Sequence, residues 1–224
     1  KSTHHLRAQI LYYLAENLQR RENNIIELLI SLRGVPHSLA KQVFSLSCER
    51  IFYYAAMADK FEGKIHNPPF RGITLAQKEN IGTIAVILSE HDPLLSLVTC
   101  MSSVFSTGNT QLIVPGQNTS LIATELYQVL DTSDIPDGYI NILTAKKNEL
   151  NSTLSKHENI DGIWYFGNSQ KSRAEIVHNS TSNLKRFWCP EEKNIDWTNS
   201  SKIFLDEFLH QSTQIKNIWI PYGE

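Results

Sequence analysis

Thiols, imidazoles, carboxylates and one serine are the side chains in this sequence that could carry chemistry, and their spacing argues against most of it. Cys48, Cys100 and Cys189 lie far apart, without the paired spacing of a zinc knuckle or a dithiol redox motif. A reactive thiolate needs a neighbouring base or a helix N-terminus. Cys189 instead ends an apolar run that reads as a strand and precedes Pro190. All three are expected to be small buried core residues. His4 and His5 are adjacent, and on a helix their side chains point about 100° apart, so they do not chelate one ion together. Glu90, His91 and Asp92 cluster locally but lack a second histidine at helical spacing. They read as a strand-to-helix turn in which Asp92 caps a helix starting at Pro93. Ser89 lacks the glycine-flanked elbow of a serine nucleophile. Trp164, Trp188, Trp197 and Trp219, with Tyr165 and Phe187, could stack bases, but without a basic groove they read as strand core. The residues therefore predict no catalytic group and no metal site.

Composition narrows the classes further. The 224 residues carry 41% hydrophobic and 20% charged side chains, ordinary globular values that exclude a disordered chain. A net charge of −2 leaves no general field for nucleic acid or anionic lipid. No apolar run approaches the ~18–20 residues of a membrane helix; the longest, Ile81–Leu88, reads as a buried strand. An odd cysteine count in such a composition predicts reduced thiols and a cytoplasmic setting. The sequence begins at Lys1 in polar residues, with no leader pattern, and reads as a piece of something longer.

The elements that must position these residues follow from apolar spacing. Leu6, Ile10, Leu11, Leu14, Ala15 and Leu18 share one helical face, and a second apolar cluster, Ile25–Leu32, stops at Gly34 and Pro36. Ser38 is the expected cap of a third helix that ends before Gly63. Residues 63–80, rich in breakers, predict a hairpin. Short apolar runs then alternate with helical segments: strands at 82–88, 111–114, 139–143, 163–166 and 186–189, helices at 94–105, 121–130, 148–155 and 171–177. Uniformly apolar strands separated by such helices make a parallel sheet covered on both faces, a doubly wound α/β core. A helix over 200–210 and a strand over 215–220 close the chain, with Pro221 expected to stop the ladder.

Several segments in this frame resemble the cofactor-binding half of an aldehyde dehydrogenase. Ser106-Thr107-Gly108-Asn109-Thr110 is similar to that family's turn into its second core strand. The run from Pro136 to Thr144 is similar to its proline-x-glycine-valine-x-asparagine-x-x-threonine stretch, departing at Tyr139, where the family has valine. Tyr165-Phe166-Gly167-Asn168-Ser169 resembles its phenylalanine-threonine-glycine-serine-threonine turn, without the first threonine, and Asn183-Leu184-Lys185-Arg186 the approach to the strand that carries its glutamate. Tyr53, Tyr54, Ala55, Ala58 and Gly63 match a helix end. Residues 6–189 carry the likeness, and the tail resembles the family's oligomerisation strand. The closing Trp219-Ile220-Pro221-Tyr222-Gly223 is similar to the end of the truncated second copy in a tandem branch that lacks the catalytic cysteine.

The resemblance implies a Rossmann-like open parallel sheet with helices on both faces, N-terminal helices, and a small β oligomerisation element made of a hairpin and the C-terminal strand. It divides the chain into an aldehyde-dehydrogenase-like unit, 1–189 (helices 1–62, hairpin 63–80, α/β core 81–189), and a tail, 190–224. It also implies missing chemistry. The family's catalytic insertion, which supplies its cysteine, has no counterpart after Cys189. His91 stands where the family's oxyanion-holding asparagine would donate, and its general-base glutamate would fall near Pro190 or Glu191. The cofactor positions read as degenerate at Val114, Gln117 and Gly167. Losing a lysine at Val114 and weakening a glutamate at Gln117 predicts a loss of roughly 3–5 kcal/mol, about 10²–10⁴ in affinity. No cofactor is therefore expected on this chain; NAD is expected for a catalytic domain outside it. The implied role is a non-catalytic structural domain, a homodimer or the partner of a covalently linked catalytic domain, with interface residues Ile215, Ile218, Trp219 and Ile220. The alternative is a residual NAD-binding domain, acting as a sensor or as a fragment of an active enzyme.

Overall fold

The computed structural model describes residues 2–69, 71–145, 147–190 and 195–221. Its N-terminal helices follow the apolar spacing. Ile10, Leu11, Leu14, Ala15 and Leu18 are buried along α1 (His4–Gln19), which Thr3 caps by accepting the Leu6 N–H at 3.1 Å. Leu6 itself, one turn before that stripe, stays exposed. The second helix, α2 (Glu22–Arg33), ends at Gly34, whose φ of 62° is left-handed and whose N–H returns to the Ile30 carbonyl. Ser38 does not cap α3 (His37–Ala58). Pro36, fixed at φ −65° in an extended conformation, takes that place, and its carbonyl accepts from Leu39 and Ala40.

A three-stranded antiparallel ribbon follows. The hairpin strands β1 (Lys64–His66) and β2 (Gly72–Asn80) pair, and the last strand, β8 (Thr213–Pro221), lies along the other edge of β2 from Gly72↔Pro221 to Asn80↔Thr213. Pro221 thus occupies a ladder position instead of ending the strand before it. An edge strand tolerates this, because a nitrogen without a ladder partner loses nothing by lacking hydrogen.

The second sheet has the order β5-β4-β3-β6-β7, with every neighbouring pair parallel. Its elements are β3 (Thr83–Ile87), α4 (Pro93–Ser106), β4 (Thr110–Val114), α5 (Ser120–Asp131), β5 (Ile140–Ile142), α6 (Lys147–Lys156), β6 (Gly162–Tyr165), α7 (Gln170–Ser180) and β7 (Arg186–Trp188); α8 (Lys202–Gln211) then leads into β8. Side chains alternate across this sheet. Ile84, Val86 and Leu88 pack with α1, α3, α4, α5 and α8, whereas Ala85, Ile87, Val114 and Ile163 pack with Leu154 of α6 and Ile176 of α7. The order reverses beside β3, so the crevice of a doubly wound sheet opens at the carboxyl ends of β3, β4 and β6.

Candidate functional site

Four loops meet at that edge. The turn after β3 reaches across to the loop after β4: the Glu90 carboxylate accepts the N–H of Gln117 at 2.7 Å and of Asn118 at 3.1 Å. Ser89 is a buried turn residue whose hydroxyl accepts the His91 N–H. Asp92 holds the N-cap position of α4 before Pro93, as expected, but makes no capping bond. Its left-handed φ of 44° carries the carboxylate away from the first turn, to 4.0 Å from the Arg33 guanidinium. His91 is exposed beside it.

Pro115, Gly116, Gln117, Ser120, Thr144 and Ala145 bound a crevice of about 210 Å³. Two glycines shape this edge. A Cβ on Gly116 would fall 2.6 Å from a Glu90 carboxylate oxygen, and one on Gly167 would fall 2.5 Å from the Tyr165 hydroxyl. Both are backbone cradles that a side chain would fill. Ser169 accepts the Ser172 N–H at 3.2 Å and opens α7 at the same edge. These features fit a dinucleotide: Gln117, Ser120 and Thr144 would face its adenosine end, and the first turn of α7 suits a diphosphate. When bound, such a cofactor supplies hydride transfer. The Glu90 carboxylate is the group at this edge that a diphosphate would have to tolerate.

The three degenerate positions do not form one set. Val114 is fully buried against Ala85 and Ile163, so its side chain belongs to the core and not to the crevice. Gln117 is exposed at the crevice, and Gly167 lies in its cradle. Ser120 and Thr144 went unnoticed as site residues; the signal available for Thr144 was its place at the end of a run that finishes a parallel strand.

The thiols are not activated. Cys48 and Cys100 are buried, and burial pushes the Cys48 thiol up to about 12 and the Cys100 thiol well above its usual range. Cys189 departs from expectation by being half-buried, at the end of the edge strand β7. Burial still raises its pKa, and nearby Arg173 offsets part of that rise. Among the described residues no three His, Cys, Asp or Glu side chains converge as a metal site. Glu191 and Glu192 lie outside the described residues.

Of the aromatic set, Trp164, Tyr165 and Trp197 are buried, Trp188 and Phe187 are half-buried, and Trp219 is 64% exposed. Trp197 sits on no strand. It lies in the connection from β7 to α8 and packs at 5.4 Å on Phe166, beside Trp188 and Phe208. Arg50, 2% exposed, donates to the carbonyls of Trp197 and Asn199, each at 3.1 Å, and to the Thr99 hydroxyl at 3.3 Å. Trp197 and Asn199 are thereby pinned to α3.

The four interface candidates divide between two faces of the ribbon. Pairing places Ile218 opposite Leu75 and Ile220 opposite Ile73; Ile215 and Trp219 alternate to the other side, opposite Lys78 and Thr74. Ile65, opposite Leu75 on β1, joins the Ile218 face.

The aldehyde dehydrogenase family model matches residues 1–189. The chain is 26% identical over 184 residues to the NADP/NAD-dependent aldehyde dehydrogenase PuuC of Escherichia coli, covering 81% of this chain and 37% of that protein. It is 27% identical over 218 residues to an aldehyde dehydrogenase of Agaricus bisporus, 97% of this chain and 42% of that one. It is also 25% identical over 185 residues to human cytosolic 10-formyltetrahydrofolate dehydrogenase, 80% of this chain and 20% of that protein. The chain therefore spans less than half the length of these relatives. Among solved structures, PnpE from Pseudomonas sp. WBC-3 superposes with a TM-score of 0.78 at 24% identity, covering 84% of this chain and 39% of that one. PnpE in complex with nicotinamide adenine dinucleotide gives a TM-score of 0.80 at 23% identity, covering 85% and 39%. Among the described residues, no helix is long and apolar enough to cross a membrane.

These findings overturn the expectation of a chain without cofactor. The family is NAD(P)-dependent, and a protein of the same fold holds the dinucleotide. Two side-chain positions, of which Val114 is core, do not abolish a crevice built from strand ends and glycine cradles. Motif order, the parallel sheet with its central strand reversal, and a family match over residues 1–189 agree: this chain belongs to the aldehyde dehydrogenase family.

Proposed function

We propose that this chain is a non-catalytic aldehyde dehydrogenase domain whose work is structural: it assembles with a second copy of itself or with a catalytic aldehyde dehydrogenase domain of the same polypeptide, in a cytoplasmic setting. The reading concerns chemistry and leaves the family's dinucleotide in place. The observation that carries it is how little chain separates β7 from α8, residues 189–201, with Trp197 and Asn199 held by Arg50; the family's catalytic insertion is expected in that interval. The thiols support it, since each is held protonated by burial. The match to one fifth of 10-formyltetrahydrofolate dehydrogenase is consistent with a domain of a longer protein.

Incubated with NAD and acetaldehyde, the chain is expected to show no cofactor reduction above buffer, and Cys189→Ser to change nothing. Turnover that disappears on Cys189→Ser overturns the proposal. A second reading, a dinucleotide-binding domain that senses or presents NAD(P), draws on the crevice at Gln117, Ser120 and Thr144. Calorimetric titration with NAD tests it. A dissociation constant below about 100 μM makes binding part of this chain's own role.

A further inference from the structure

At the opposite end of the parallel sheet, where its strands begin, a cleft of about 510 Å³ opens between the start of α1, the end of α3 and the β2–β8 ribbon. Arg7 and Lys78 bring two cations to its lining. Arg7 is 5% exposed; its Nε donates to the Ser106 carbonyl at 2.9 Å and its Nη1 to the Ser2 carbonyl at 2.7 Å. Among the described residues its Nη2 has no hydrogen-bond partner and its guanidinium no ion pair. Lys78 lies over the Phe61 ring, 3.0 Å from the centroid, and among the described residues also has no ion pair. Asp59 acts on Arg7 and Asp206 on Lys78 through space, favouring their charged forms, and each acid also has a contact of its own: Asp59 lies 3.5 Å from His5, Asp206 accepts the Tyr53 hydroxyl at 2.7 Å, and Glu79 pairs with Lys216 at 3.2 Å. Tyr139 lines the same cleft, its ring held edge-on to Phe105 at 5.9 Å, and its hydroxyl makes no hydrogen bond among the described residues.

We propose that this cleft binds a small phosphate ester, with Arg7 and Lys78 as its charge partners and Tyr139 as a hydroxyl donor. Among the described residues neither cation has a carboxylate within ion-pairing distance, so both keep N–H donors for an anion, and an arginine fork with one amino group spare suits phosphate oxygens. Thr3, Thr107 and Asn80 add polar groups to the lining, which suits a hydroxylated ester better than an apolar one. The volume falls within the ~300–1,000 Å³ of small-molecule sites. Desolvation lowers the pKa of both Arg7 and Lys78, so an anion that entered would relieve a cost the fold already carries. The cleft lies at the far end of the sheet from the dinucleotide crevice, and the inference is independent of whether the chain is catalytic.

The test titrates the full chain by calorimetry with glucose 6-phosphate, with glucose as control, at about 150 mM salt to screen diffuse attraction. A submillimolar dissociation constant is expected for the ester and no heat for glucose, with inorganic phosphate competing. Lys78→Gln is expected to weaken binding about tenfold and Tyr139→Phe about threefold, a charged against a neutral hydrogen bond. Both are expected to leave the NAD titration unchanged. Tyr139→Phe, which loses one oxygen and keeps the ring, carries the test should Lys78→Gln fail to fold. The proposal is overturned if the folded chain takes up no glucose 6-phosphate at about 10 mM, if phosphate does not compete, or if Tyr139→Phe binds as tightly as the parent.

Discussion

Asn109, the asparagine of the Ser106–Thr110 motif, acts as a buried junction. Its Oδ1 accepts the N–H groups of Ile81 and Gly82 at 2.8 and 2.9 Å, and its Nδ2 donates to the Thr107 hydroxyl and the Ser212 carbonyl, each at 2.8 Å. One amide thereby ties the start of β3, the end of α4 and the end of α8, with its full bonding capacity used. Asn109→Ala strands several buried groups and is expected to cost about 3 kcal/mol, lowering Tm by roughly 6–12 °C in a calorimetric scan. Glu90 works in the other direction. Its bonds to Gln117 and Asn118 tie the crevice loop to the turn after β3, and its negative charge would oppose a bound dinucleotide's phosphates. Glu90→Gln is expected to tighten NAD binding about fivefold, worth ~1 kcal/mol near a surface, as read by titration. The thiols set an alkaline limit. Burial pushes the Cys48 thiol up to about 12 and the Cys100 thiol well above its usual range, so the unfolded chain gives up their protons first. Their contribution to stability is full below about pH 9 and is lost as pH rises toward 12. The urea midpoint is expected to fall across that window and to be flatter for Cys48→Ala.

The two elements of the tail are held very differently. Helix α8 is anchored in the core: Phe208 is buried against Trp188 at 5.2 Å, and the hydroxyls of Tyr53 and Tyr54 donate to Asp206 and to the Leu205 carbonyl. Strand β8 is exposed along most of its length and is held by its ladder to β2, with a solvated Lys216–Glu79 pair that adds little. Deleting residues 214–224 is therefore expected to leave the parallel sheet folded and cooperative, while baring the edge of β2 and producing monomers or aggregates. Phe208→Ala is expected to cost about 3–5 kcal/mol, because it empties the aromatic cluster that closes the sheet. Comparable urea midpoints for the two variants would contradict this division.

At the scale of the whole molecule, the proposed assembly needs one continuous face. Ile65, Ile73, Leu75, Ile218 and Ile220 share one side of the ribbon, and Ile65, Ile73 and Ile220 are 76%, 42% and 46% exposed. An isologous pair brings such a patch onto its own copy. Light scattering at micromolar concentration is expected to give twice the 25.5 kDa of one chain. Ile73→Lys combined with Ile220→Lys is expected to halve that mass without lowering Tm appreciably, since both side chains already face solvent. A parent chain of single-subunit mass defeats the homodimer and leaves the linked catalytic domain as the partner.

The amino-acid sequence by itself determined the elements, their order and the family. Apolar periodicity is a local property, and glycine and proline end elements wherever they fall, so α1, the hairpin and the strands of the parallel sheet could be read directly. The motif asparagines were also legible, although as markers of a family and not as the junction that Asn109 makes. Tertiary structure decided where side chains point and what they meet. It turned Val114 into the core, sent the Asp92 carboxylate to Arg33, and split Ile215 and Trp219 from Ile218 and Ile220 across the ribbon. It also brought Glu90 to the loop at Gln117, and gathered Arg7, Lys78 and Tyr139 around one cleft. Contacts between residues tens of positions apart depend on how whole elements pack, and no local spacing encodes them.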